Sequence, residues 1–193
     1  MRDQAVRLTD RPRRCRPGGL RRDANRADGR GPDRSRRACR RQRGGLGANA
    51  LPQITGTVTL LSRNTTTRRD PDASEAFRIA EIDGPNGRLT VDGVTATGGG
   101  CLEYAGTYLP TDGATLVLRH SAVTNSTANY GGAIFVDQGS TLEVHDSGLR
   151  NSAALQGGAV YNGPRSTTLL KRTRVDNTPN KCRPVGSVPA CTS

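Results

Sequence analysis

Thr115-Leu116-Val117-Leu118 returns 26 positions later as Thr141-Leu142-Glu143-Val144, and this repeat decides the fold. Outward from it at the same offset, Ser121 meets Ser147, Val123 meets Leu149, Asn125 meets Asn151 and Ala128 meets Ala154. Gly131-Gly132-Ala133-Ile134 comes back as Gly157-Gly158-Ala159-Val160, and Asn151 comes back as Asn177. Self-similarity at a period of roughly 20–50 residues marks a solenoid or array, in which each unit buries its apolar face only by stacking on its neighbours. Within a unit, Leu116/Leu118, Leu142/Val144 and Ile134/Val136 alternate in steps of two, as strands do. No window carries a helical stripe. One unit therefore reads as three short strands: Thr-Leu-x-Leu, Ala-Val-Thr-Asn and Gly-Gly-Ala-Ile-Phe. Three strands turned into one coil and stacked in register give an all-β fold, a parallel β-helix of about five coils.

Upstream, Leu89-Thr90-Val91 aligns with Leu116-Val117-Leu118 at an offset of 27, and Gly98 falls where Asn125 falls. That coil departs from the others after Gly98-Gly99-Gly100, and residues 104–112 read as an insertion that bulges before the next strand. Residues 77–82 alternate and predict a strand with Phe77, Ile79 and Ile82 inward. Asp83-Gly84-Pro85-Asn86-Gly87 is a turn by every local signal. Residues 62–75 are polar and turn-rich, so they read as a surface loop or a short irregular strand. Val58-Thr59-Leu60-Leu61 opens the solenoid as a strand of β-branched and aliphatic residues.

The chain has 193 residues and a formal charge of +12, which taken alone suggests a nucleic-acid partner. The charge is unevenly spread. Residues 1–43 hold 16 Arg, no Lys and 5 Asp, whereas residues 44–193 hold 13 basic and 12 acidic residues. The first segment has no aromatic residue and no apolar periodicity, so it reads as a disordered basic tail that cannot offset its ordering entropy. Its composition fits a nucleic-acid-binding arm, an idle extension, or a GC-rich gene read in the wrong frame; the absence of Lys favours the last. The second segment is the β-helix domain. No secretory signal is visible, and no stretch reaches the ~18 apolar residues of a membrane span. If residues 1–43 are not natural, the true signal lies outside this chain.

Two phrases carry a family likeness. Leu51-Pro52-Gln53-Ile54-Thr55-Gly56-Thr57-Val58-Thr59-Leu60 resembles the opening coil of right-handed parallel β-helix proteins of the pectate-lyase-like superfamily fold. The Gly-Gly-Ala-Ile repeats resemble those of polymorphic outer-membrane-type and actinobacterial secreted proteins. The close that runs from Asn177 through Pro179, Asn180, Cys182 and Pro184 to Cys191 resembles the C-terminal end of the same secreted proteins. The resemblance implies a right-handed coil, a secreted or cell-surface location, and a Cys182–Cys191 disulfide. Such a bond locks a loop over the open end of the solenoid and implies an oxidising compartment. Cys101 reads as a buried small residue. A zinc site is disfavoured because neither His lies near the cysteines in sequence.

Three constellations are weighed as sites. Asn125, Asn151 and Asn177 share one repeat position, which predicts a ladder of stacked amides across the ~4.8 Å strand spacing. The Gly pairs 131/132 and 157/158 lack the helix of a phosphate loop and read as sharp corners that need φ > 0. The third is an outward polar stripe. Asp92, Arg119 and His145 stack, and beside them Gly93, His120 and Asp146. As a solvated face it contributes only a fraction of a kcal/mol per pair, about 0.2–1. As a site it suits an anionic sugar, since the β-helix lyases and hydrolases it resembles pair acidic or Ca²⁺-binding residues with a basic residue on one sheet. No carboxylate pair at a catalytic separation is evident, and a Ca²⁺ site needs more oxygen ligands than one coil supplies.

The resulting expectation is a non-enzymatic, monomeric module for adhesion or glycan contact, without metal or cofactor. The alternative is a polysaccharide-active enzyme, or its remnant, built on Arg119, His120, His145 and Asp146, with Ca²⁺ admitted only in that case. Nucleic-acid binding belongs to the tail rather than to the domain.

Overall fold

The computed structural model describes residues 5–8, as backbone, and residues 49–191. Its fifteen strands are β1 (Ala5–Leu8), β2 (Thr57–Arg69), β3 (Ala80–Asp83), β4 (Arg88–Thr97), β5 (Tyr108–Thr111), β6 (Thr115–Arg119), β7 (Ala122–Thr124) and β8 (Thr127–Tyr130). They continue as β9 (Ile134–Val136), β10 (Thr141–His145), β11 (Gly148–Gln156), β12 (Val160–Asn162), β13 (Thr167–Lys171), β14 (Arg174–Thr178) and β15 (Cys182–Arg183). Every pairing is parallel, and the registers reproduce the sequence offsets: Leu89 beside Leu116, Leu116 beside Leu142, and Leu142 beside Thr168. The result is a parallel β-solenoid of about five turns.

Each coil presents four faces. Face A stacks the first half of β2, the first half of β4, then β6, β10 and β13. Face B stacks the second halves of β2 and β4, then β7, the start of β11 and β14. Face C is β8 against the end of β11, and face D is β3, β5, β9, β12 and β15. Alternation along each strand sends every second residue inward. Leu89, Leu116 and Leu142 form one buried column, Val91, Leu118 and Val144 a second, and Ala96, Val123 and Leu149 a third. Each buried Leu of these columns is worth about 1.5–3 kcal/mol of transfer free energy, and the columns exist only because neighbouring coils cover one another.

The structure departs from the sequence expectation in several places. The coil of β6 to β9 has four strands rather than three, because the polar Thr127–Tyr130 spacer pairs with Ala153–Gln156 as face C. Of the two readings of residues 62–75, the irregular strand holds for 62–69: β2 runs on through Arg69, with a register shift between Leu61 and Thr65 at the corner. Residues 108–111 do not bulge. They form β5 inside face D, with Tyr108 buried at the register position of Ile134. Residues 77–79 precede β3, although Phe77, Ile79 and Ile82 are buried as expected. The expected disorder of residues 1–43 lies outside the described residues except at Ala5–Leu8, whose backbone pairs in parallel with Thr66–Arg69 of β2.

At the far end, a disulfide joins Cys182 to Cys191, with Cα atoms 6.1 Å apart. It closes a loop that seats Val188 in the core beside Cys182. The loop is also tied back by Asn162, whose Nδ2 donates to Ser187 O at 3.1 Å. Among the described residues, no helix is long and apolar enough to cross a membrane.

Candidate functional site at the corner between faces A and B

A chain that leaves face A for face B must turn sharply within one or two residues, and each coil does so through a residue with positive φ. These are Asn64 (φ 62°), Gly93 (70°), His120 (45°), Asp146 (49°) and Arg172 (47°). Only glycine adopts this left-handed region without cost, while His and Asp are tolerated there more often than most residues. The corner is held from inside by hydroxyls one residue further on. Ser121 Oγ donates to Arg119 O at 2.6 Å and accepts from Val94 N at 3.2 Å. Ser147 Oγ repeats this with His145 O at 2.6 Å and Ser121 N at 3.1 Å. Each hydroxyl thus satisfies backbone groups in two coils, and the charged residue before it projects outward.

Below this row of outward residues, face B is hollow. Register places Thr95, Ala122, Gly148 and Arg174 in one column. The two small residues in the middle leave the floor of an open groove of about 600 Å³. His120, Asp146 and Arg172 form its upper wall, and Arg150 and Arg174 close it from below and from the end. Glycine matters at position 148: a Cβ there would come within 3.1 Å of Arg150 Nε, so the guanidinium lies back across the floor.

The wall is ordered by ion pairs. Arg172 grips Asp146 with both oxygens, Nε to Oδ1 at 2.5 Å and Nη2 to Oδ2 at 2.7 Å. Hydrogen bonding by Arg172 holds the Asp146 carboxyl below the usual aspartate range; desolvation opposes it, and the charge of Arg172 and the nearby His120 and His145 lower it further. The same pairing raises Arg172. His120 Nδ1 sits 2.9 Å from Asp92 Oδ1, one coil above. Arg150 has no carboxylate partner among the described residues, and Arg174 reaches Asp176 only at 3.8 Å. The cations least committed to partners therefore face the groove.

The four residues singled out from sequence are split by the corner. His120 and Asp146 line the groove. Arg119 and His145 end strands of face A, where register stacks them below Asp92, and His145 Nε2 lies 3.3 Å from Glu143 Oε2. Arg150, Arg172 and Arg174 were not singled out. The repeat offset held the signal, because it puts Arg172 under Asp146 and Arg174 under Gly148.

The asparagine column differs from a ladder of stacked amides. Asn125 and Asn151 share the left-handed corner between faces B and C, with φ of 55° and 54°, and this conformation turns their side chains into solvent. Asn125 Nδ2 donates to Thr97 Oγ1 at 3.3 Å. Asn177 is turned inward instead: its Oδ1 accepts from Ser152 N at 2.7 Å and its Nδ2 donates to Leu149 O at 2.7 Å. No amide of the three bonds another among the described residues. The glycine pairs also divide their work. Gly131 and Gly157 have φ of 64° and 67° as expected, whereas at Gly132 a Cβ would sit 2.5 Å from Gly158 O, so the second glycine is needed for close approach of coils.

Tyr104, Tyr130, Phe135 and Tyr161 form an aromatic row outside faces C and D. Phe135 stacks flat on Tyr161 at 5.2 Å, and Tyr104 stacks on Tyr130 at 5.6 Å. These rings spend their faces on each other, so the row reads as packing. Cys101 is buried and accepts from Arg78 Nη2 at 3.5 Å. Among the described residues, no three His, Cys, Asp or Glu side chains gather to hold a metal ion. Comparison with family models, curated proteins and solved structures finds no match for this chain.

Proposed function

We propose that the folded part of this chain is a non-enzymatic, secreted or cell-surface module that contacts glycan through the outer groove of its solenoid. The observation that supports it is the groove itself: open across successive coils, floored by Ala122 and Gly148, edged by Thr95, and walled by side chains that can hydrogen-bond hydroxyls. An open groove along stacked coils suits an extended chain better than a compact small molecule. The Cys182–Cys191 bond supports an oxidising compartment. The resemblance to secreted right-handed parallel β-helix repeats, within a pectate-lyase-like fold, supports the same setting.

Chemistry at the groove argues for contact over cleavage. Glycoside hydrolysis needs one carboxylic acid kept protonated at working pH and a second carboxylate as base or nucleophile. Asp146 is the groove's carboxylate, and Arg172 keeps it ionised. One observation favours the enzymatic reading, the Asp92–His120 pair, in which a carboxylate orients an imidazole at 2.9 Å. A lyase or hydrolase would use His120 as base or acid, with Arg119 beside it.

Incubation of the full chain with acidic and neutral polysaccharides, with and without Ca²⁺, separates the two. Co-sedimentation without shortening of the glycan by mass spectrometry is the expected result. Shortening that disappears on His120→Ala or Arg119→Ala would establish the enzyme instead.

A further inference from the structure

The charge of the solenoid is segregated by coil. Residues 163–191, the final coil and its closing loop, carry Arg165, Lys171, Arg172, Arg174, Lys181 and Arg183 against Asp176 alone. Residues 49–162 hold 7 basic and 11 acidic residues. The folded part is therefore dipolar along its axis, net −4 over the earlier coils and net +5 at the end. The groove spans this boundary. Two of its lining residues, Arg172 and Arg174, belong to the cationic coil, and both side chains are well exposed, at 75% and 69%.

Resting on the glycan reading above, we propose that this groove is a site for a polyanionic glycan, whose sulfate or carboxylate groups are taken by Arg150 and Arg174. A guanidinium offers a planar fork of donors that matches an oxyanion in two parallel bonds, and these two are the groove's least committed cations. Asp146 is neutralised by Arg172, so the wall does not repel an anion. Thr95 and His120 are placed to meet the hydroxyls between charged groups. The lining contains no Phe, Tyr or Trp, so bases of a single-stranded nucleic acid would find no stacking ring beyond the His120 imidazole, which favours a sugar.

The test uses the full chain and three probes: a sulfated hexasaccharide, a galacturonate hexasaccharide and neutral maltohexaose. The chain has 2 His, and the imidazole resonances of His120 on the groove wall and His145 on face A report position. Either anionic sugar shifts His120 more than His145, maltohexaose shifts neither, and Arg150→Gln with Arg174→Gln weakens binding on the order of tenfold or more. Comparing the sulfated and galacturonate arms identifies the preferred oxyanion. Arg88→Gln with Arg165→Gln, both outside the groove lining, removes the same two charges, leaves affinity unchanged and controls for net charge. Anionic sugars that bind without moving His120, and indifferently to the double variant, would place binding elsewhere on the chain and overturn the site. Maltohexaose shifting His120 as strongly would overturn the charge requirement while leaving the glycan reading intact. If no sugar binds, both fail. A single-stranded oligonucleotide that binds the groove more tightly, with the same arginine dependence, would reassign the site to nucleic acid.

Discussion

Three stacked polar residues in the left-handed region, His120, Asp146 and Arg172, set the chemistry at the residue scale. Each occupies a corner where the coil of β4 has Gly93, and each gains an outward-projecting side chain in exchange for backbone strain. The Asp146–Arg172 pair gives a direct prediction. Its carboxyl is depressed by Arg172. A carboxyl depressed in the folded state contributes stability that is present above its unfolded pKa and is lost as pH falls through the folded value. The pair is therefore intact at neutral pH and is undone in acid, below the ordinary aspartate value of 3.8. Carboxyl-detected NMR titration should show Asp146 below that value, and Arg172→Gln should move it upward. The sequence revealed which of these residues stack, because register follows from the repeat. It did not reveal that the corner splits Arg119 and His145 from His120 and Asp146, since the direction of each side chain depends on φ.

At the scale of the element, tight glycines and shared hydroxyls decide where one coil can approach the next. Gly132 and Gly139 make a contrast. At Gly132 a Cβ would meet Gly158 O at 2.5 Å and Ala153 O at 2.6 Å, both backbone atoms of the next coil. At Gly139, with φ 71°, it would meet nothing within 4 Å. Gly139→Ala should cost only the left-handed penalty, about 1–2 kcal/mol. Gly132→Ala forces two coils apart and should cost clearly more, with loss of the cooperative transition in a urea melt as the extreme. Equal effects at both positions would contradict the packing described for face C. The strands themselves were legible because Leu116/Leu118 and Leu142/Val144 alternate without interruption. Strand β8 was not, since Thr127, Asn129 and Tyr130 carry no alternating apolar signal; its pairing is set by the coil above and below.

At the scale of the whole molecule, stability is a sum over neighbouring coils, and the ends are the weak points. The disulfide ties the C-terminal end across a separation of 9 residues. Chain-entropy arguments assign a loop of this size about 2–3 kcal/mol. Reduction should therefore lower the unfolding free energy by about that amount and loosen the loop that carries Val188, measurable as faster amide exchange in residues 182–191. The fold class was legible here because a repeat of 26 to 27 residues constrains the coils from β4 onward at once. The groove was not, because it depends on two small residues, Ala122 and Gly148, which carry no chemical signal until register sets them side by side.

That juxtaposition is the centre of the account, and through-space NMR contacts between backbone protons test it most directly. The account predicts contacts from Ala122 to Gly148 and from Gly148 to Arg174, all in the parallel pattern and at an offset of 26 residues. Contacts of antiparallel pattern, or an offset that sets Ala122 against any residue other than Gly148, would remove the groove and contradict the account.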